Sequence, residues 1–327
     1  MHRWLLALDF GGTKHTAALI PDESVTGQGE RPPAWTAQRR VFSPSGADAR
    51  YDLQTMLALG REILAGEQPA AIGVSFGGPV DASRGVVRLS HHVPGWENLP
   101  LAELLQEEFH APARVDNDAN VAALGEHRLG AGRGADSLLY ITISTGVGGG
   151  WILNGQPWRG ADGMAGEIGH TVIDPNGPIC LCGKHGCLER LASGRYMEQD
   201  ARQWLSAQPG RGRRLRELVG ENLQALTGQH LSQAADQGDD LAWEILERSA
   251  RSLGIGIGNA ANLINPQRFI LGGGVTKAGN RFWEVIRNTA RITALPEIQF
   301  EILPAQLGDD APLWGAVVLA QACLAET

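Results

Sequence analysis

At 327 residues, with 43% hydrophobic and 20% charged side chains, the chain has a globular composition and exceeds the usual size of one core, so two lobes are expected. Its 28 basic and 36 acidic side chains give a formal charge of −8, which argues against an extended nucleic-acid or anionic-membrane surface and means that any phosphate must be met locally. Three of the four cysteines crowd into residues 180–187 and leave no disulfide framework, no window approaches about 18 uninterrupted apolar residues, and the N-terminus lacks a signal-peptide run; a cytoplasmic protein without a membrane partner is expected.

Leu5 to Phe10 reads as a buried strand, Gly11-Gly12-Thr13-Lys14 as a turn and His15 to Ile20 as a second strand, together an opening hairpin. Its two glycines let backbone N–H groups form an anion nest, and Asp9 at the strand end can hold hydrated Mg2+; most such hairpins are only turns. No G-x-x-x-x-G-K-[ST] loop precedes a helix, so a nucleotide would be bound another way. Trp35 to Phe42 is a third strand, Asp48 to Leu64 has helical spacing, and Ala70 to Phe76 returns to strand. Gly77-Gly78-Pro79-Val80-Asp81 is a turn and Gly85 to Leu89 a short strand. His91, His92 and Trp96 follow on a loop; without a third ligand the histidines favour a surface or substrate-contacting loop over a metal site.

Leu99 to Phe109 is helical, and Ala113 to Val115 is a strand running into Asp116-Asn117-Asp118-Ala119-Asn120. This pentapeptide joins a strand end to an amphipathic helix, the place where α/β proteins normally bind ligands, and three polar residues in a row exceed what a helix cap needs. Ser137 to Ile143, the glycine-rich Ser144 to Gly150 and the strand Trp151 to Leu153 repeat the strand–turn–strand geometry of the opening, which suggests an internal duplication with phosphate amides on both turns.

Gly166 to Glu189 organises the chain chemically. It places His170, Cys180, Cys182 and Cys187 within 18 residues, enough for a closed tetrahedral Cys3His shell around Zn2+, with Gly177, Pro178, Gly183 and Gly186 allowing tight backbone turns. A closed shell is structural and activates no water. Glu167 and Glu189 flank it as preorganised acceptors for hydroxyl groups. The competing reading, a disulfide pair plus a spare thiol, leaves the histidine unexplained.

Ala192 to Leu205 is helical, and Arg211 to Arg216 reads as solvated helix surface. Asp239 to Ile264 reads as a long helix broken by Gly254, Gly256 and Gly258. Arg268 to Leu271 is a strand feeding Gly272-Gly273-Gly274, a turn on which an adenine could lie flat. Asn280 to Ile292, Ile298 to Leu303 and Pro312 to Leu324 give helix, strand and helix.

With these motifs in order, from Asp9-Phe10-Gly11-Gly12-Thr13-Lys14 through Asn117-Asp118-Ala119-Asn120, Thr145 to Gly150, Glu167-Ile168-Gly169-His170 and the Cys-x-Cys-Gly-x-x-Gly-Cys-Leu-Glu run to Leu271-Gly272-Gly273-Gly274, the chain resembles the ROK family of bacterial sugar kinases and sugar-responsive repressors, specifically its glucokinase-type members. The resemblance implies an α/β actin-like, hexokinase-type ATPase fold with two lobes carrying related sheets around a cleft. A small lobe is expected over 1–117, with the helix at about 312–327 returning to it, and a large lobe with the zinc knuckle over 118–311. It implies ATP-dependent phosphorylation of a hexose 6-hydroxyl, with Asp118 as base and Gly78, Asn117, Asp118, Glu167, His170 and Glu189 binding the sugar. Asp9, Gly11, Gly12, Thr13, Lys14, Thr145 and Gly146 would hold Mg2+-ATP, and Gly272 and Gly273 would flank the adenosine. His170 would serve zinc with one ring nitrogen and sugar with the other. A homodimer or homotetramer is implied.

Phe10 stands where relatives have a small aliphatic residue, Ser144 replaces a common glycine, and His92 lies near a sugar-loop position where asparagine is frequent. These departures bear on the choice of sugar and leave it open among glucose, mannose, fructose, allose and N-acetylhexosamines; glucose is the first expectation, and polyphosphate is open as donor. A sugar-responsive repressor is a second reading, but the first strand is expected from Trp4, ahead of which no helix-turn-helix fits. A non-catalytic actin-like ATPase switch needs neither the sugar constellation nor the knuckle.

Overall fold

The computed structural model describes residues 2–12, 14–26, 29, 31–90 and 93–325. In chain order its elements are β1 (Trp4–Phe10), β2 (Lys14–Pro21), β3 (Ala37–Phe42), α1 (Ala49–Leu64), β4 (Pro69–Phe76), β5 (Val80–Asp81), β6 (Val86–Val87), α2 (Leu101–Phe109), β7 (Ala113–Asn117), α3 (Asp118–Leu129), β8 (Leu138–Ile143), β9 (Val147–Leu153) and β10 (Gln156–Trp158). There follow α4 (Leu188–Ala192), α5 (Gly194–Ala207), α6 (Arg213–Val219), α7 (Gly228–Asp236), α8 (Asp240–Ile264), β11 (Arg268–Gly272), α9 (Asn280–Thr293), β12 (Glu301–Pro304) and α10 (Ala311–Leu324).

Packing divides the chain into one unit of Met1–Tyr140, Gly150–Gly166 and Ala305–Thr327 and another of Ile141–Gly149 and Glu167–Pro304. The division expected after Asn117 falls inside the first unit, because α3 packs along α10 there. Glycines make that approach possible: a Cβ at Gly315 would lie 1.7 Å from the Val121 carbonyl oxygen, and one at Gly125 2.7 Å from that of Ala311.

The sheet of the first unit has the order β3-β2-β1-β4-β7, with β1 antiparallel to β2 and parallel to β4, and β4 parallel to β7. Strand periodicity sorts its residues. Leu6, Leu8 and Phe10 join Met56 of α1 and Leu105 of α2 in one core. Leu5 and Ala7 join Val121 of α3 and Val317 of α10 in another. Both faces are covered, which is why β4 reads as a nearly continuous apolar run. Trp96, expected on a loop, is fully buried against Phe76 at a ring-centroid distance of 4.7 Å and Phe10 at 5.6 Å. Phe10 thereby acquires a packing role. His91 and His92 lie outside the described residues.

The second sheet has the order β10-β9-β8-β11-β12, and the division passes through β8 and β9. β9 begins at Val147, so Gly148 to Gly150 are strand and not turn. α8 runs unbroken through its three glycines, a correction to the sequence reading. Each glycine costs about 1 kcal/mol against alanine in a helix, but contact with α9 offsets this. A Cβ would lie 2.5 Å from the Thr289 Cβ at Gly254 and 2.4 Å from the Thr293 Cβ at Gly258. The arginine run is only partly solvated, since Arg216 turns inward and donates to the carbonyls of Arg211 at 3.0 Å and Gln208 at 3.2 Å. Among the described residues no helix is long and apolar enough to cross a membrane.

Candidate active site and metal centre

The first unit brings together Asp9, Gly11, Gly12, Lys14, Gly78, Asn117 and Asp118 of the expected residues; Thr13 lies outside the described ones. Asp9 ends β1 opposite Ser75 of β4 in the parallel register, and the Ser75 hydroxyl donates to its Oδ1 at 2.8 Å. Burial pushes the Asp9 carboxyl above the ordinary carboxylate range, while Ser75, Lys14, His15 and Arg40 pull it back. The turn after it closes with the Gly11 N–H donating to the Lys14 carbonyl at 3.0 Å. Beneath the turn, buried His15 places Nε2 2.7 Å from Asp52 Oδ1 and 2.8 Å from Ser43 Oγ.

β7 ends in a polar cluster with divided tasks. Asn117 N-caps α3, its Oδ1 accepting from the Ala119 N–H at 3.0 Å and its Nδ2 donating to the Gly78 carbonyl at 3.1 Å and to Asp118 Oδ1 at 3.0 Å. Asp118 Oδ1 also accepts from the Ala119 N–H at 2.8 Å. A Cβ at Gly77 would be in ordinary contact with the other carboxylate oxygen, 3.9 Å from Oδ2. Asp116 is buried beneath them, accepting from Asn117 N–H at 2.8 Å, Asn120 Nδ2 at 3.2 Å and Arg159 Nε at 2.7 Å. Nothing in the sequence joined Ser75 to Asp9, or Arg159 to Asp116.

The second unit carries Thr145, Gly146, Glu167, His170, Glu189, Gly272, Gly273 and all four expected metal ligands. The donor atoms of His170, Cys180, Cys182 and Cys187 lie within 4.8 Å of one another, and the cysteines form no disulfide. Cys182 and Cys187 sulfurs are 3.5 Å apart. That is close to the roughly 3.8 Å edge of a tetrahedron with 2.3 Å arms. His170 Nδ1 is buried without a hydrogen-bond partner, while its Nε2 lies 4.0 Å from Glu167 Oε2. Burial and the neighbouring thiols push Cys187 up to about 12, so without a cation it holds its proton at neutral pH. A buried histidine nitrogen without a partner, on a residue gathered with three cysteine sulfurs, fits a soft divalent metal. The loop's shape is fixed by glycine: Gly186 has φ +63°, and a Cβ on it would lie 1.6 Å from the Asp174 carbonyl oxygen.

Glu189, two residues past Cys187 at the start of α4, turns to the glycine loop, and its Oε2 accepts from the Val147 N–H at 3.0 Å. A Cβ at Gly146 would sit 2.6 Å from the same oxygen. Gly273 has φ +89° and packs where a Cβ would lie 2.3 Å from the Ile143 carbonyl oxygen. Near these turns opens a cavity of about 770 Å3 lined by Ser144, Thr145, Arg195, Glu198, Gly274 and Lys277 among others; Gly272 and Gly273 precede Gly274 in the chain and are not in its lining.

Two five-stranded mixed sheets, each with a glycine turn between its leading strands, define an actin-like ATPase fold. The ROK family pattern matches residues 5–323, and the chain belongs to the ROK family. The chain is 35% identical over 322 residues to a glucokinase of Halalkalibacterium halodurans, covering 96% of this chain and 93% of that protein. The ROK hexokinase of Thermus thermophilus superposes with a TM-score of 0.81 at 32% identity, covering 99% of this chain and 100% of that one. A ROK family glucokinase of Streptomyces griseus, in complex with glucose and AMPPNP, gives a TM-score of 0.81 at 34% identity over 98% of this chain and 99% of its own.

Proposed function

We propose that the chain is an ATP-dependent hexose kinase, with glucose as the first acceptor, that phosphorylates the sugar 6-hydroxyl. The observation that carries this reading is Asp118, a carboxylate directly after β7 whose Oδ1 accepts from Asn117 Nδ2 and the Ala119 N–H, which fixes its orientation at the strand end. Full-length similarity to glucokinases supports it. Asp118 takes the proton of the attacking hydroxyl, a general-base contribution of about 10²–10⁴-fold. Asn117, whose amide is engaged with Gly78 and Asp118, orients the base. Glu167, the outward-facing His170 Nε2 and Glu189 through its Oε1 bind the remaining ring hydroxyls.

Phosphoryl transfer depends on positioning and charge neutralisation more than on covalent chemistry. Asp9 would hold Mg2+, which when bound neutralises charge developing on the phosphates. The amides of Gly11, Gly12 and Gly146 with Thr145, Thr13 and Lys14 contact the phosphates, and the 770 Å3 cavity takes the adenosine beside Gly272 and Gly273. His170, Cys180, Cys182 and Cys187 would hold Zn2+, whose contribution is to staple the loop bearing Glu167 and Glu189. A coupled assay across glucose, mannose, fructose, allose and N-acetylhexosamines, with ATP or polyphosphate, tests the substrate. Asp118→Asn should lower kcat by about 10²–10⁴-fold and leave the glucose Kd within a few fold. Near-normal turnover in that variant would falsify the role of the base.

A further inference from the structure

Tyr196 occupies an unusual position between the metal loop and the cavity of the second unit. It stands on α5 among Gly194, Arg195, Met197 and Glu198, which line the cavity. Its own side chain is buried, and its hydroxyl accepts the N–H of Leu181, the residue between Cys180 and Cys182, at 3.0 Å. The Arg190 guanidinium lies 4.6 Å from the Tyr196 ring centroid and grips Asp200 of α5 through two bonds of 2.9 and 2.8 Å. Arg190 belongs to α4, which starts directly after Cys187, and the Gly194 N–H donates to the Ser144 carbonyl at 2.8 Å. Metal ligands and cavity wall thus share one short piece of framework, α4 and the first turn of α5.

We propose that Tyr196 is a positioning residue through which a divalent metal bound by the Cys3His cluster sets the wall of the cavity, so that metal and adenine nucleotide tighten each other's binding. This rests on reading that cavity as the nucleotide site. A metal that gathers Cys180 and Cys182 fixes the exposed Leu181 between them, so that its N–H stays on the Tyr196 hydroxyl. Held there, the ring stays beneath Arg190 and keeps α4 and α5 clasped at Asp200. Linkage makes the effect reciprocal: whatever factor the metal adds to nucleotide affinity, the nucleotide adds to metal affinity.

Calorimetry with a non-hydrolysable ATP analogue, without sugar, on metal-loaded and chelator-stripped full-length protein tests this. Stripping should weaken the nucleotide Kd by about 5- to 150-fold, the usual span of such couplings. Tyr196→Phe, loaded with metal to full stoichiometry, should bind the analogue as weakly as the stripped wild type. Equal nucleotide affinity in the loaded wild type and loaded Tyr196→Phe overturns the inference. So does equal affinity with and without metal in protein that circular dichroism shows to be folded. Should stripping unfold the chain, the comparison between the two loaded proteins decides. A loaded wild type that binds no nucleotide overturns the reading of the cavity, and this inference with it.

Discussion

Individual side chains in the first unit divide into those that meet a ligand and those that set its partners' charge. Asp9 and Ser75 are such a pair: burial raises the acid's pKa and the serine hydrogen bond lowers it. If Asp9 holds Mg2+ as proposed, it must be ionised to do so, and activity should be lost as pH falls through its raised pKa. Removing the hydroxyl in Ser75→Ala takes away a lowering influence and should move the acid limb of kcat/KM for Mg2+-ATP to higher pH. A pH–rate profile of both proteins checks the direction; an unmoved limb counts against Asp9. At this scale the sequence was most informative where contact is local. Asp118, Asn117 and the four metal donors sit in compact motifs and were legible as such. Ser75, Arg159 and the His15–Asp52 pair were not, because register between strands or a distant loop brings each to its partner, and neither leaves a periodicity to read.

Elements meet in this fold through glycines and one buried carboxylate. Gly315 of α10 has no space for a methyl group against Val121. Gly315→Ala should therefore destabilise the first unit by about 1–3 kcal/mol, read as a lower urea midpoint at unchanged slope. Glu126 of α3 accepts the N–H groups of Ala131 at 2.8 Å and of Gln306 and Leu307 at 3.2 and 2.8 Å, thus tying α3 to the segment ahead of α10. Burial raises its pKa. An acid raised on folding contributes stability that is fully present below its unfolded value and lost as pH rises through the folded one. Glu126→Gln should cost about 1–3 kcal/mol by presenting an amide hydrogen to a backbone donor. It should also flatten that part of the stability–pH curve above the ordinary glutamate value; urea titrations at several pH values on the acid side separate the two effects. Sequence reading broke α8 at its glycines, since helix propensity penalises them; their purpose shows only beside α9. The same blindness missed the burial of Trp96, which does lie on a loop, and ended the first lobe before α3, whose partner α10 lies nearly two hundred residues further along the chain.

For the molecule as a whole, the order of motifs along 327 residues carried the fold class, and the family match over residues 5–323 agrees with it. Structural zinc sites in small folding units contribute on the order of 10 kcal/mol. Chelation, or Cys180→Ser, should accordingly lower the melting temperature and weaken glucose binding; metal analysis alongside calorimetry would check both, and full glucose affinity after stoichiometric removal would count against the staple.

The position of α10 has a consequence for synthesis. Leu5, Ala7 and Ala71 are translated early, yet the apolar face they form is sealed by Val317 and its neighbours. With translation at about 5–20 residues per second, that sticky surface waits for roughly 15–60 s on the ribosome. The nascent N-terminal half is thus a natural client for holdase chaperones, and it matures after the segment that follows it.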